Sequence, residues 1–267
     1  MKFRQAVREV APHLEHIPAG YHRYGSVMVL RSNQQLSEDL GQACCEIYTW
    51  CETVYQHLST VGESRIPKLV LLAGRDAPEV VHRENGVSYL IDLRRITFSG
   101  GNRHLRERLV EMIEDGEYLL DMFAAVGNLS MQPLVHHQLA GAVLVEQNSY
   151  TFQHLLKTLE LNGLSTNNAI NLDCRKLDLE NYADRILMGF HDVDHTHLTT
   201  ALRAAKPKSV LHLHPIVPVD NWDDEVQKYH RIITNLDARI LETNMLPVKS
   251  YAPGLEHIEL IFEIAKN

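Results

Sequence analysis

The chain has 267 residues, of which 45% are hydrophobic and 22% are charged. This composition is typical of a globular protein and excludes a disordered chain, a collagen-like repeat or a coiled coil as the main state. Lys and Arg number 26 against 34 Asp and Glu, so the formal net charge is −8. Proteins that bind a phosphate backbone are usually basic, because counterion release drives binding. The charge therefore weakens, without excluding, the expectation of a nucleic-acid partner.

Neither the N-terminus nor the cysteines point to export or to a membrane. Charges interrupt the first 20 residues, so there is no apolar signal core, and no run reaches the roughly 18 apolar residues of a membrane helix. None of the cysteines, Cys44, Cys45, Cys51 and Cys174, forms a CxxC pair. We expect reduced thiols, a cytoplasmic location and no membrane contact.

The N-terminal part of the chain predicts a small mixed domain. A strand is expected at Ser26–Arg31, a helix from Ser37 to about Val61, and a second strand at Lys68–Gly74. The stretch that follows contains Glu84-Asn85-Gly86, a turn signal between two alternating segments. We assign residues 1–85 to an α+β appendage.

From about Asn102 the pattern alternates between strands and helices. Helices are expected at Asn102–Asp115, Ser149–Asn162 and Trp222–Leu236. The first of these helices leads into the apolar run YLLDMFAAV, and strands are expected at AVLVE, AINLD, DRILMGF, SVLHLHPIV, RILETNM and HIELIFEIA. Short apolar strands separated by helices indicate a parallel sheet covered on both faces. The last two strands are joined only by a loop, which predicts an antiparallel final strand. Residues 86–267 therefore predict an α/β domain of the Rossmann-like methyltransferase type.

Three acidic positions follow successive predicted strands, where open α/β sheets bind nucleosides. Asp121 begins a loop that runs to Gly127, and Glu146 ends the next strand, where a carboxylate can bind both ribose hydroxyls. Asp173, followed by Cys174, ends the third strand, where an Asp commonly meets the adenine amino group. The chain has no GxxxxGK[ST] loop, so the expected ligand lacks a pyrophosphate. This favours S-adenosylmethionine.

Several segments resemble the tRNA wybutosine-synthesis aminocarboxypropyltransferases, which are relatives of the tRNA guanine-N1 methyltransferases. They are ENGVSYLIDLRRITFSGGNRHLRERL, LLDMFAAVGNLSMQP, LVEQNSYTFQHLLKTLELNGL, NLDCRKLDLENYADRILMGF, LHLHPIVP and SYAPGLEHIELIF. The resemblance covers roughly Arg65 to Ile264. It implies an S-adenosylmethionine-dependent enzyme whose acceptor is a guanosine-derived base of tRNA.

The resemblance also implies site residues. Expected contacts of S-adenosylmethionine are Asp121, Phe123, Ala125, Gly127, Glu146, Asp173 and Cys174. Expected at the reacting centre are Phe98, Ser99, Met188, Gly189 and His212. The only dense basic cluster in the sequence, together with a histidine of the HLH segment, supplies the expected acceptor contacts: Arg103, Arg106, Arg108 and His214.

Two departures favour attack at Cγ of the methionine tail over methyl transfer. Ala125 stands where the family loop has its first glycine. Met188-Gly189-Phe190 replaces the Asn-Leu-Pro-like turn of the methyltransferase branch and resembles the aminocarboxypropyl branch. We therefore expect 5′-methylthioadenosine as the nucleoside product, with the tRNA base as acceptor.

Other outcomes stay open at this level. A small-molecule acceptor, or attack by the amine of S-adenosylmethionine on its own Cγ to give azetidine-2-carboxylate, uses the same chemistry. Guanine-N1 methylation is a third possibility, and a non-enzyme binding module is the least supported. The chain has 16 histidines, but no ligand set at a recognisable zinc spacing, so no metal is expected. The sequence does not predict an oligomeric state.

Overall fold

A computed structural model describes residues 2–61 and 66–266 and divides into two compact units, Met1–Gly100 and Gly101–Asn267. The helices in these ranges are α1 Phe3–Val10, α2 Glu38–Ile47, α3 Arg103–Met112, α4 Met131–His136, α5 Ser149–Leu161, α6 His195–Ala204 and α7 Trp222–Asn235. The strands are β1 Tyr21–Tyr24, β2 Val27–Arg31, β3 Thr53–Val61, β4 Ile66–Gly74, β5 Glu79–Glu84, β6 Val87–Asp92, β7 Tyr118–Asp121, β8 Gly141–Glu146, β9 Ala169–Asn171, β10 Ala183–Met188, β11 Ala205–Leu213, β12 Ile216–Pro218, β13 Ala238–Ala252 and β14 Leu255–Lys266.

The first unit is built on a four-stranded sheet of order β1-β2-β3-β4 with a parallel pair at β2–β3. Helix α2 packs on β4 so closely that a Cβ on Gly41 would lie 2.8 Å from the backbone of Leu72. The buried side chains between helices and sheet include Met28, Leu40 and Val54. This unit has the mixed α and β character expected of the N-terminal part.

The helix predicted from Ser37 to about Val61 is wrong in its second half. Ser37 caps α2 by accepting a hydrogen bond from the backbone N–H of Leu40, but the helix ends at Ile47. Thr53–Val61 forms strand β3, paired on both edges with β2 and β4. β-Branched and aromatic residues favour strands where both neighbours are available, so tertiary pairing overrides the apolar pattern that suggested helix.

The hairpin β5–β6 turns at Asn85-Gly86 as predicted, and both residues have positive φ. The boundary expected after residue 85 falls inside this turn, whereas the compact unit runs to Gly100. Phe98 belongs to this unit. Its carbonyl accepts a hydrogen bond of 2.9 Å from the Tyr24 hydroxyl, and its buried ring lies 4.9 Å from that of Tyr89.

The second unit contains the predicted mostly parallel sheet, with strand order β12-β14-β11-β10-β7-β8-β9 and β13 added on β14. Strands β7 to β11 run parallel to one another, and β14 is antiparallel to β11. The antiparallel final strand and the Rossmann-like class are therefore confirmed. The core runs through the sheet, with Leu120, Ile186, Leu211 and Phe262 fully buried.

Local signals fix the helices on either face of this sheet. The Asn148 side chain caps α5 by accepting from the N–H groups of residues 150 and 151, and Gly163 follows the helix with a φ of +69°. Helix α6 was not predicted. It begins with a capping box in which Asp194 and His197 exchange side-chain and backbone hydrogen bonds. The third helical residue is a histidine instead of the usual Glu or Gln, so the start of this helix lacks the usual sequence signature.

None of the helices in the described ranges is long and apolar enough to span a membrane.

Candidate functional site

The sheet order creates a switch point beside β7. Strands β8 and β9 extend the sheet on one side of β7, and β10 and β11 extend it on the other. Ligands of open α/β sheets bind beyond the carboxyl ends of the strands at such a point. The loop after β7 is tied to both neighbours, since the N–H of Met122 donates to the Leu187 carbonyl at 3.0 Å and that of Ala124 donates to the Val145 carbonyl at 2.9 Å.

Glu146, at the end of β8, is joined to this loop. One of its carboxylate oxygens accepts a 2.9 Å hydrogen bond from the N–H of Ala125, and the other accepts a 2.7 Å bond from the N–H of Asn148. Burial raises the pKa of Glu146, and these two hydrogen bonds oppose the rise. Glu146 therefore lies at the expected position and also fixes the loop.

Asp121 ends β7 and is almost fully buried. Its Oδ1 accepts a 3.1 Å hydrogen bond from the N–H of Phe123, while Oδ2 has no partner among the described residues. Burial raises the pKa of this carboxyl to about 6; the neighbouring Ser130 and Phe123 oppose the rise, and the nearby Glu146 adds to it. A buried acceptor of this kind is suited to a polar or cationic ligand group.

The loop between Asp121 and α4 adopts a backbone conformation that favours glycine at two positions. Gly127 has a φ of +86°, and a Cβ there would lie 2.6 Å from the Met131 side chain. Ala125 has a φ of +49° and so places a methyl group in the left-handed region that L-residues avoid. Ala125, where the chain departs from the family pattern, is thus a strained residue inside the loop.

Asp173 and Cys174 lie after β9, next to β8. The Asp173 carboxylate accepts hydrogen bonds from Arg175, at 3.0 Å from its backbone N–H and at 2.6 Å from its guanidinium. This side-chain hydrogen bond lowers the pKa of Asp173 to about 2. Cys174 is buried, and burial raises the pKa of its thiol to about 12, so the thiol is protonated at neutral pH.

Met188 ends β10, the other neighbour of β7, and Gly189 follows it. Met188 is fully buried, and a Cβ on Gly189 would lie 3.0 Å from the Leu129 side chain and 3.9 Å from the Phe123 carbonyl. Phe190 stacks on Phe123 with ring centroids 5.1 Å apart. The structure therefore brings Gly189 against the loop that follows Asp121 and is hydrogen-bonded to Glu146.

His212 lies on β11 inside a buried charge network rather than on a surface. Its Nδ1 lies 2.8 Å from the carboxylate of Glu259, and its Nε2 lies 2.9 Å from the guanidinium of Arg185. The carboxylate only accepts and the guanidinium only donates, so Nδ1 carries the proton and the ring is neutral. Burial lowers the pKa of His212, in agreement with this state.

The predicted arginine cluster separates into three environments. Arg103 is exposed and pairs with Glu107 at 2.8 Å. Arg106 is almost fully buried. Arg108 donates to the buried carboxylate of Glu259 at 2.6 Å and so completes the network around His212.

A second histidine group, which the sequence did not single out as a unit, lies beyond the carboxyl ends of β10 and β11. The Nδ1 of His191 donates to the carbonyl of His214 at 2.7 Å. The His257 ring lies 5.1 Å from His191 and 5.5 Å from His214, and Tyr251 meets His191 at 5.9 Å. The ring nitrogens of His214 and His257 are buried without hydrogen-bonding partners in the described part of the chain.

The first unit contains a basic groove of about 410 Å³. The charged and imidazole side chains that line it are Arg4, Arg8, Glu15, His16 and Arg31. Arg4 and Arg8 are one turn apart on α1 and share a helix face. The Nε of Arg4 donates to two backbone carbonyls of the groove wall, at 3.0 and 3.2 Å, which fixes its guanidinium. The sequence analysis missed this groove because its residues lie far apart in the chain.

Residues 2–61 and 66–266 contain no group of three or more His, Cys, Asp or Glu side chains placed to hold a metal ion.

Comparison with known proteins shows which family the chain resembles. Residues 80–241 match the TRM5/TYW2 methyltransferase domain and residues 3–77 match the TYW2 N-terminal domain. The sequence is 33% identical to the tRNA(Phe) (4-demethylwyosine(37)-C(7)) aminocarboxypropyltransferase of Pyrococcus horikoshii, over 94% of this chain and 91% of that protein. It is 24% identical to the tRNA (guanine(37)-N(1))-methyltransferase Trm5b of Pyrococcus abyssi, over 93% of this chain and 76% of that protein.

The fold agrees with the same family. The crystal structure of P. horikoshii TYW2 in complex with MeSAdo superimposes with a TM-score of 0.84 at 29% identity, covering 99% of this chain and 100% of that one.

Proposed function

Because the chain belongs to the TRM5/TYW2 methyltransferase family, we propose that it is an S-adenosylmethionine-dependent aminocarboxypropyltransferase acting on tRNA. The acceptor is the C7 carbon of 4-demethylwyosine at position 37 of tRNA(Phe), as in the name of its Pyrococcus horikoshii relative. S-adenosylmethionine is a substrate of this reaction. The observation that carries the proposal is the loop at the switch point, tied to Glu146 through the N–H of Ala125.

The residues at the switch point fit this substrate. Gly127 lets the loop turn with a φ of +86° at a place where a Cβ would collide with the Met131 side chain, so the course of the loop depends on a glycine there. The unpartnered oxygen of Asp121 is suited to the methionine ammonium group. Glu146 is proposed to bind the ribose, and Asp173 with Cys174 to border the adenine. The roles expected of Phe98 and Ser99 stay predictions.

The chemistry follows from which carbon of the sulfonium faces the acceptor. With Cγ of the methionine tail presented, the acceptor carbon forms a bond to Cγ, the Cγ–S bond breaks, and its electron pair neutralises the sulfonium. The products are the aminocarboxypropylated base and 5′-methylthioadenosine. Ala125, which lies inside the loop, and Gly189, which packs against the loop, are proposed to set this presentation.

One labelling experiment tests the reaction. The protein is incubated with precursor tRNA and S-adenosylmethionine labelled separately in the methyl and the carboxyl carbon. We expect carboxyl label on the tRNA and methyl label in 5′-methylthioadenosine. Methyl label on the tRNA with release of S-adenosylhomocysteine would contradict the proposal. Accumulation of 5′-methylthioadenosine at the same rate without tRNA would instead indicate a different acceptor.

The basic groove is proposed to contact the tRNA backbone, which would reconcile an acidic protein with an RNA substrate. Each phosphate contact adds about 1 to the slope of log affinity against log salt. The double variant Arg8→Ala/Arg31→Ala should lower this slope by about 2, whereas Lys157→Ala, an exposed lysine of α5, should not. An unchanged slope in the double variant would place the RNA elsewhere.

A further inference from the structure

His191, which follows β10, and Tyr251, at the end of β13, are not among the residues proposed to bind S-adenosylmethionine. His191 is partly exposed, and Tyr251 keeps 42% of its surface accessible at the end of the long strand β13. The two rings meet edge to face with centroids 5.9 Å apart. Proteins commonly bind an unstacked base by stacking it on an exposed aromatic or imidazole ring.

Their place in the fold is next to the reacting centre. His191 is two residues after Gly189, which contacts the loop after β7, and Phe190 between them stacks on Phe123 of that loop. Because β14 runs antiparallel to β11, the β13–β14 turn that follows Tyr251 comes to the carboxyl edge of the parallel strands. The pair therefore lies on the β10 and β11 side of the loop.

Hydrogen bonding fixes the chemistry that the His191 ring can perform. Its Nδ1 donates to the His214 carbonyl at 2.7 Å, so in the neutral ring Nε2 is the proton-accepting nitrogen. Beneath it, the rings of His214 and His257 are buried. Burial lowers their pKa values to about 4 and about 2, so both neighbours stay neutral at pH 7.

We propose that Tyr251 and His191 form the acceptor-base subsite, in which Tyr251 stacks on the base and Nε2 of His191 takes the proton that the base loses. The inference rests on the proposed function and deepens it. When the acceptor carbon has formed its bond to Cγ, it still carries its hydrogen. Transfer of that proton to His191 returns the electron pair of the C–H bond to the ring, and the protonated His191 then releases it to water.

The Tyr251 part is tested by RNA affinity as well as by activity. Stacking of one base on an aromatic side chain is worth roughly 5- to 150-fold in binding. Tyr251→Leu should weaken affinity for the precursor tRNA within that range and raise its KM, and Tyr251→Phe should restore both. Equal affinity in the leucine and phenylalanine variants would overturn the stacking role.

The His191 part is tested by chemical rescue, which a structural role would not give. His191→Ala should lower kcat at least a hundredfold, general base catalysis being worth roughly 10²- to 10⁴-fold, and added imidazole should restore part of it. Calorimetry should show unchanged S-adenosylmethionine affinity, and this also verifies that the variant is folded. His195→Ala, an exposed histidine of α6, is the control and should retain activity.

The outcomes separate the two proposals. If the wild-type protein forms no aminocarboxypropylated tRNA, the proposed function fails. If the wild type is active and His191→Ala keeps its kcat, or loses kcat without any rescue while binding S-adenosylmethionine normally, the proton-acceptor role is overturned and the proposed function stands.

Discussion

The carboxylate of Glu146 accepts a 2.9 Å hydrogen bond from the backbone N–H of Ala125. This bond joins the end of β8 to the loop after β7, the two chain segments that the proposed site needs side by side. Ala125 lies there with a φ of +49°. The carboxylate that is proposed to bind the ribose and the strained loop residue are therefore one hydrogen-bonded unit. A substitution of Glu146 should weaken ligand binding, whereas a glycine in place of Ala125 should stabilise the fold.

Glu146→Ala should weaken S-adenosylmethionine binding at least tenfold, measured by isothermal titration calorimetry. The variant loses a charged acceptor for the ribose, and such hydrogen bonds are worth roughly 1.5–3 kcal/mol each. It also leaves the backbone N–H groups of Ala125 and Asn148 without the carboxylate to which they donate. Glu160→Ala, an exposed glutamate on α5, should bind like the wild type. Equal affinities for the two variants would show that the nucleoside lies elsewhere.

Ala125→Gly should stabilise the protein by up to about 1 kcal/mol in urea denaturation. Left-handed backbone costs an L-residue roughly 1–2 kcal/mol, and the greater freedom of glycine in the unfolded chain returns about 0.4–1 kcal/mol of this. Ala140→Gly is the matched control, since Ala140 is exposed and lacks a positive φ, and it should destabilise. A destabilised Ala125→Gly variant would mean that the methyl group makes contacts that outweigh the strain.

The sequence predicted the second unit better than the first, for a physical reason. Short apolar strands such as Ala142–Glu146 are buried on both faces in a parallel sheet, and their pattern differs clearly from that of the amphipathic helices between them. The apolar pattern of Thr53–Val61 does not differ clearly from that of the preceding helix α2. Its pairing with β2 and β4 is what makes this segment a strand.

The positions of candidate site residues were predictable where these residues end a strand. Asp121, Glu146 and Met188 each end a strand, so their common edge followed from the fold class. The ring contact between Tyr251 and His191 joins residues far apart in the chain, and no spacing rule reveals it. His212 was expected at the reacting centre, whereas the structure surrounds it with Glu259 and Arg185, partners that local sequence does not show.

Stability should fall as the pH decreases from about 6.5 to about 4, because of His214 and His257. Their native pKa values of about 4 and about 2 lie below the unfolded value of about 6.5. The unfolded chain therefore binds more protons in this window, and each histidine costs up to about 1.4 kcal/mol per pH unit. Asp121 opposes this below about pH 6, because its native pKa is raised.

Comparison of variants isolates the contribution of the buried histidines to the pH dependence of the unfolding free energy. His257→Gln should lose less unfolding free energy than the wild type between pH 6.5 and 5, as measured in urea. His104→Gln, a histidine whose side chain is 92% exposed, should show the wild-type slope. Identical slopes for all three proteins would contradict the assignment of this pH dependence to the buried pair.

Glu259→Ala should destabilise the fold by about 3–5 kcal/mol, because it leaves the buried His212 and the Arg108 guanidinium without their shared carboxylate. Glu107→Ala breaks the ion pair with exposed Arg103 and should cost no more than about 1 kcal/mol. Both values come from urea denaturation at pH 7. Similar small losses in the two variants would mean that the network around His212 contributes little to stability.

Gly189→Asn should lower aminocarboxypropyl transfer at least tenfold while S-adenosylmethionine affinity stays within about threefold. The added side chain begins 3.0 Å from Leu129 and 3.9 Å from the Phe123 carbonyl, so it must enter the space beside the loop. A displacement of reacting groups by about 1 Å can cost a hundredfold in rate. Gly189→Ala is the control, because the flexible end of Leu129 can move away from one methyl group, and it should lose less than threefold. Rates of 5′-methylthioadenosine formation at saturating tRNA distinguish the two variants, and equal rates in both would show that Gly189 does not border the reacting centre.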